Sequence, residues 1–195
     1  MRTVALMGAH RTGKTTLAKA YADSKGCDFV SCSVSPAYVQ LNIPMGTQVN
    51  FLTRMAIQDT ALNLYQNSLN TQLTTGREFI SDRCFLDLVA YTLADYPNTA
   101  TPDEATWLAD YTEKCLRLNE EYFHSVALIR PGIPLSEDVT SWSGDKGVID
   151  KVDACMLWVA ELAGDSVFSI PKEALDLTKR LKILEVINNE SWVQI

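Results

Sequence analysis

Gly8-Ala9-His10-Arg11-Thr12-Gly13-Lys14-Thr15 carries two glycines, a lysine and a hydroxyl at the GxxxxGK[ST] spacing. That spacing can hold a polyphosphate. Glycines let backbone N–H groups converge on a phosphate without Cβ clashes. A helix starting at Lys14 would add its partial positive charge. Lys14 would bridge β- and γ-phosphates, and the Thr15 hydroxyl would sit on Mg²⁺. Gly8, Arg11, Thr12, Gly13, Lys14, Thr15 and Thr16 are the candidate nucleotide-binding residues. Arg11 could clamp a moving phosphoryl group, but a solvated loop cation is the favoured reading. His10 has no partner that the sequence names.

A second constellation is Phe79-Ile80-Ser81-Asp82-Arg83, an acid and a base at the end of a short apolar run. Ligands of open α/β sheets bind at such strand ends. Asp82 could hold Mg²⁺ through water or accept a proton from an attacking hydroxyl. Arg83 could grip a phosphate or carboxylate with its planar fork. Simple capping of the next helix is the alternative for Asp82; a phosphate loop on a neighbouring strand favours function. Asp87, one turn on, is expected on the solvated face.

These residues need a frame. Thr3–Met7 reads as a buried strand, Lys14–Asp23 as a helix and Phe29–Ser33 as a second strand. Ser35–Val49, with two prolines and a glycine, reads as a loop or broken turn. In Asn50–Leu73, apolar residues recur at threes and fours, as in an amphipathic helix. Glu78–Ser81 is a third strand, Phe85–Ala94 a helix, and Thr101-Pro102-Asp103-Glu104 the capped start of a helix to about Tyr122. Strands at Ser125–Ile129 and Ser166–Ile170 and helices at Val148–Leu162 and Glu173–Ile187 complete the chain. The alternation predicts an α/β fold of three layers around a five-stranded parallel sheet, in one domain over 1–195, and the phosphate loop after its first strand makes this the P-loop NTPase type.

The 195 residues carry a net charge of −7. Residues 1–77 hold seven basic against three acidic residues, whereas 78–121 hold three against ten. The acidic total therefore does not exclude a phosphate-binding site in the basic third. There is no apolar run long enough to span a membrane, and the N-terminus reads as a strand rather than a signal peptide. Five scattered cysteines without a CxxC point to a reducing, cytoplasmic setting.

The stretch from Gln72 to Tyr91, with Gly76, Asp82-Arg83 and Ala90-Tyr91, resembles the "L..G..VI.DR…S..AY" segment of thymidylate kinases. It is also similar to ribosylnicotinamide-kinase domains and related small P-loop kinases. With the phosphate loop and the element order, the resemblance covers most of the chain. It implies a magnesium–ATP donor and a nucleoside or nucleotide acceptor. It also implies that a Phe and an Arg on the preceding helix hold the acceptor, and Phe51 and Arg54 match that helix. For Phe51, core packing competes with base stacking. Thymidylate kinases usually carry Tyr or Phe where Cys84 stands.

The resemblance places a lid at about 130–151. Its usual arginines have thinned to Arg130, with Lys146 and Lys151 as substitutes that neutralise charge without a bidentate clamp. Gly132, Gly144, Gly147 and Trp142 suit a mobile cover. Ile170-Pro171-Lys172 lies where such kinases contact adenine, while Lys172, Lys179, Arg180 and Lys182 read mostly as a solvated face. Ser35–Val49 with Tyr38 should line the acceptor pocket. Nucleoside-kinase relatives often place a general-base acid there, but none lies between Asp28 and Asp59, which shifts the base role to Asp82.

The favoured function is transfer of the ATP γ-phosphate, with a thymidylate-like acceptor. Lys14, Asp82, Arg83 and Arg130 are catalytic candidates, Thr15 and Asp82 metal candidates, and Phe51, Arg54, Arg83 and Tyr38 substrate candidates. A nucleic-acid acceptor, such as 5-hydroxymethyluridine in DNA or a polynucleotide end, stays open, as does a homodimer. A nucleotide-dependent switch NTPase is the alternative of another class. It usually shows a longer Walker-B strand and an extra domain.

Overall fold

The computed structural model describes residues 2–134 and 145–190. Its frame is a five-stranded sheet of order β2-β3-β1-β4-β5, with every pairing parallel. The strands are β1 (Thr3–Met7), β2 (Asp28–Val30), β3 (Phe79–Ser81), β4 (Ser125–Ile129) and β5 (Val167–Ile170). β1 lies at the centre, with all five residues buried. A parallel strand covered on both faces has no polar side to show, hence the continuous TVALM run.

The period of two sorts β1 between two cores. Ala5 and Met7 face the larger core, and Val4 and Leu6 the smaller. Residues of α3 (Phe51–Leu73), α4 (Phe85–Ala94), α5 (Pro102–Tyr122) and α6 (Lys146–Ala163) form most of the larger one. On the other face, Leu17, Ala18 and Tyr21 of α1 (Lys14–Lys25) meet Leu184 and Ile187 of α7 (Leu177–Glu190). This is the three-layer α/β/α arrangement the alternation predicted.

Local chemistry explains most boundaries. Asn50 caps α3 by accepting from the Thr53 N–H at 2.8 Å. Thr101 and Glu104 form a reciprocal capping box at α5, with Pro102 in its first turn. Several boundaries differ from expectation; β2, for one, runs Asp28–Val30 rather than Phe29–Ser33. Ser35–Gln40 is a short helix, α2, because Pro36 sits in its first turn, where a missing N–H costs nothing. The last helix begins at Leu177, not Glu173, where Asp176 accepts from the Lys179 N–H at 3.0 Å.

The strand order turns at β1, since β2 and β3 lie to one side and β4 and β5 to the other. The segments following β1 and β3 are therefore neighbours, and ligands of open α/β sheets bind at such a reversal. Among the described residues, no helix is long and apolar enough to cross a membrane.

Candidate active site

The phosphate loop joins β1 to α1 through left-handed backbone at Gly8 (φ 152), Arg11 (φ 60) and Gly13 (φ 84). At Gly8 only glycine fits, because a Cβ would stand 2.5 Å from the Ile129 carbonyl oxygen. Thr12 is buried, and its hydroxyl donates to the Ala9 carbonyl at 3.1 Å. Arg11 and Thr16 are exposed.

Lys14 turns back over its own loop and donates to the carbonyls of Gly8 at 2.6 Å and Ala9 at 2.7 Å. Burial pushes its ammonium down to about 8, against the pull of Asp87. His10 lies against Tyr91 with ring centroids 4.9 Å apart. Burial, with the charges of Arg83, Lys14 and Arg11, pushes its imidazole down to about 3. It is therefore neutral near pH 7, and the cations of this loop are Arg11 and Lys14.

Asp82, just past β3, joins three elements. Its Oδ2 accepts from the Thr15 hydroxyl at 2.7 Å, and its Oδ1 from the Cys32 N–H at 3.1 Å. Both oxygens are held, so the carboxylate has a fixed orientation beside the phosphate loop. It does not cap α4. That position falls to Cys84, whose N–H donates to Asp87 Oδ2 at 3.0 Å. Thr15 and Asp82 thus present adjacent hard oxygens, the donor type Mg²⁺ takes alongside phosphate and water.

Asp87 departs from expectation: it is buried, not solvated. Its Oδ1 accepts from the Gly8 N–H at 3.2 Å. Burial raises its carboxyl above the usual range, while Lys14 and Arg83 work the other way. The signal was present in the sequence as an N-cap-to-N3 spacing from Cys84, obscured because cysteine is a rare cap.

On the acceptor side, Arg54 of α3 donates to the Tyr38 hydroxyl at 2.7 Å and pairs with Asp95 at 2.7 Å. Its Nε is buried without a partner. Phe51 is 8% exposed and packs edge-on against Tyr96 and Trp107. Arg83 lies 5.6 Å from the Tyr91 ring centroid. The hydroxyls of Tyr65 and Tyr91 are buried without hydrogen-bond partners.

Beyond β4, Arg130 makes a fork onto Asp153 of α6, with Nε 2.9 and 3.1 Å and Nη2 2.7 Å from its oxygens. Lys146 pairs with Asp150 at 2.5 Å, and Lys151 is exposed. Residues 135–144 of the expected lid, with Trp142 and Gly144, lie outside the described residues. Gly132 is pinned: a Cβ there would meet the Lys172 carbonyl oxygen at 2.1 Å. The segment after β4 and the start of α6 border a cavity of about 330 Å³ with His10 and Arg11 of the phosphate loop.

Arg180 of α7 is a further correction. Expected on a solvated face, it is 2% exposed. Its Nη1 donates to the Thr12 carbonyl at 2.5 Å, and its Nε to the Ala174 carbonyl. Its spacing from Leu184 and Ile187, both buried, puts it on the apolar face of α7. That signal was readable but outweighed by residue type.

A family model described as an AAA domain matches residues 3–142. No curated protein sequence matches the chain. Among solved structures, deoxyadenosine kinase from M. mycoides with bound dCTP superposes with a TM-score of 0.65 at 14% identity, over 96% of this chain and 99% of that one. NadR in complex with NR gives 0.68 at 14% identity, over 96% of this chain and 50% of that one. Thymidylate kinase from Candida albicans gives 0.64 at 15% identity, over 97% and 92%. At such identities the likeness establishes a shared fold.

Proposed function

The chain belongs to the AAA domain family, and from that premise we propose that it is an ATP-dependent phosphotransferase acting on a nucleoside or nucleotide. The observation that carries the reading is the 2.7 Å contact between Thr15 and Asp82 at the mouth of the phosphate loop. A hydroxyl from the loop and a carboxylate from the neighbouring strand are the paired oxygens that nucleotide-bound Mg²⁺ requires. The structural likeness to two kinases and to NadR supports the same class.

In this reading the residues work by position and charge. Lys14 leaves the Gly8 and Ala9 carbonyls and donates to β- and γ-phosphate oxygens. Loop N–H groups hold the β-phosphate. Thr15 and Asp82 would hold Mg²⁺, which supplies charge neutralisation when bound. Asp82 is assigned this holding role because both its oxygens are already oriented by hydrogen bonds. Arg83 and Arg54 face the acceptor, with Tyr38 orienting Arg54 and Phe51 walling the pocket. Arg130 neutralises phosphoryl charge from the lid side, at 130–151, when it exchanges Asp153 for substrate.

The acceptor favoured here is thymidylate-like. The unpartnered Nε of Arg54 and the lack of an acid between Asp28 and Asp59 both support an acceptor that brings its own anion. The test is incubation with Mg-ATP and a panel of nucleosides, nucleotides and DNA, followed by assay of labelled product. The expected result is a phosphorylated nucleotide, lost in Lys14→Ala and Asp82→Asn. Transfer to DNA, with affinity falling steeply as salt rises, moves the acceptor class. ADP release with no phosphorylated product sinks the kinase reading in favour of a switch NTPase.

A further inference from the structure

Arg180 is a buried cation with no acidic partner among the described residues. None of the ion pairs among the described residues includes it. Its two satisfied nitrogens donate to neutral carbonyls, those of Thr12 and Ala174. Its third, Nη2, is buried without any partner. A desolvated charge left in this state is costly, and proteins keep such charges where an anion compensates them.

Its position says where that anion would sit. The guanidinium lies on the Thr12–Gly13 peptide: a Cβ at Gly13 would stand 3.2 Å from Nη1. In a planar trans peptide the carbonyl and the next N–H point in opposite directions. With the Thr12 carbonyl turned to Arg180, the Gly13 N–H points away from α7. Phosphate loops bind through such N–H groups. The same side chain reaches Ala174, so one residue ties the phosphate loop to the segment between β5 and α7.

We propose that Arg180 is a positioning residue for the donor polyphosphate. It fixes the Thr12–Gly13 peptide by its carbonyl, and it supplies from behind the loop a positive charge that the bound polyphosphate neutralises. The inference rests on the phosphate-loop part of the function proposed above, and not on transfer or on the acceptor.

The experiment is calorimetric titration of the full chain with Mg-ATP, inorganic tripolyphosphate and AMP. It compares wild type with Arg180→Gln and Arg180→Lys, with thermal unfolding run beside it. Arg180→Gln keeps an N–H donor and removes the charge. Its affinity for ATP and for tripolyphosphate should fall together by at least about tenfold, with AMP changed less than about threefold. Arg180→Lys should restore most of the loss.

Equal losses for ATP and AMP would reduce Arg180 to a structural tether and overturn the proposal. So would a loss for ATP that spares tripolyphosphate, which would place the effect on the adenine side. If Arg180→Gln does not fold, Arg180→Lys decides: the ATP-to-AMP affinity ratio should stay within about threefold of wild type, and a tenfold fall overturns the proposal. Wild type that binds neither ATP nor tripolyphosphate fails the phosphate-loop reading itself. Wild type that binds both, with an unaffected Gln variant, fails only the role of Arg180.

Discussion

The carboxylate of Asp87 accepts a hydrogen bond from the backbone N–H of Gly8 at 3.2 Å, across 79 residues of chain. Its other oxygen accepts from the N–H of Cys84, at the start of α4. One buried side chain thus fixes the first peptide of the phosphate loop to the helix that follows Asp82 and Arg83. It also lies near Lys14, whose ammonium it helps keep charged.

Replacing Asp87 with Ala should therefore strike stability and nucleotide binding together. It strands two backbone donors and leaves Lys14 without its main negative neighbour. The expected cost is about 3 kcal/mol, or a fall in Tm of roughly 6–12 °C for a chain of this size. Thermal unfolding and ATP titration check it. Asp87→Asn, which keeps an acceptor oxygen, should lose less of both. Unchanged Tm in Asp87→Ala would remove the residue from its proposed place.

Lys14 gives a pH prediction with opposite signs for two measurements. Its ammonium is lowered from 10.5 to about 8 by burial. Between those values the unfolded chain binds more protons than the folded one, so this residue makes the unliganded protein more stable as pH rises. Phosphate binding needs the charged form, so ATP affinity should fall above about pH 8. Titrations from about pH 7 to about pH 9.5 test this. Lys14→Arg, which stays charged, should show a flatter profile.

Two glycines with positive φ should respond differently to alanine. At Gly8 a Cβ meets the Ile129 carbonyl oxygen at 2.5 Å, whereas at Gly76 (φ 67) it meets nothing within 4 Å. Gly76→Ala carries the backbone term alone, about 1–2 kcal/mol. Gly8→Ala adds a clash between β4 and the loop and should cost about 2–4 kcal/mol, with loss of ATP binding. Urea unfolding of the two variants measures the difference.

The Arg130–Asp153 fork should be energetically coupled. Its geometry is bidentate, and the two side chains are 28% and 11% exposed. A double-mutant cycle with Ala at each position should give about 1–2 kcal/mol, above the range of fully exposed pairs. A coupling near zero would mean the pair holds nothing together.

The chain's own order of residues determined the phosphate loop, the alternation of strands and helices, and the cap at Thr101. Each of these depends on neighbours within a few positions, where spacing and residue type carry the physics. Tertiary structure decided which distant groups meet. Asp82 received Thr15 and the Cys32 N–H because β1, β2 and β3 lie side by side. Asp87 and Arg180 moved from expected solvent faces into burial. An acidic or basic residue is normally cheapest in water, so its type argues for exposure. Partners brought from far along the chain draw each one in: the Gly8 N–H meets the Asp87 carboxylate, and the Thr12 carbonyl meets the Arg180 guanidinium without neutralising its charge.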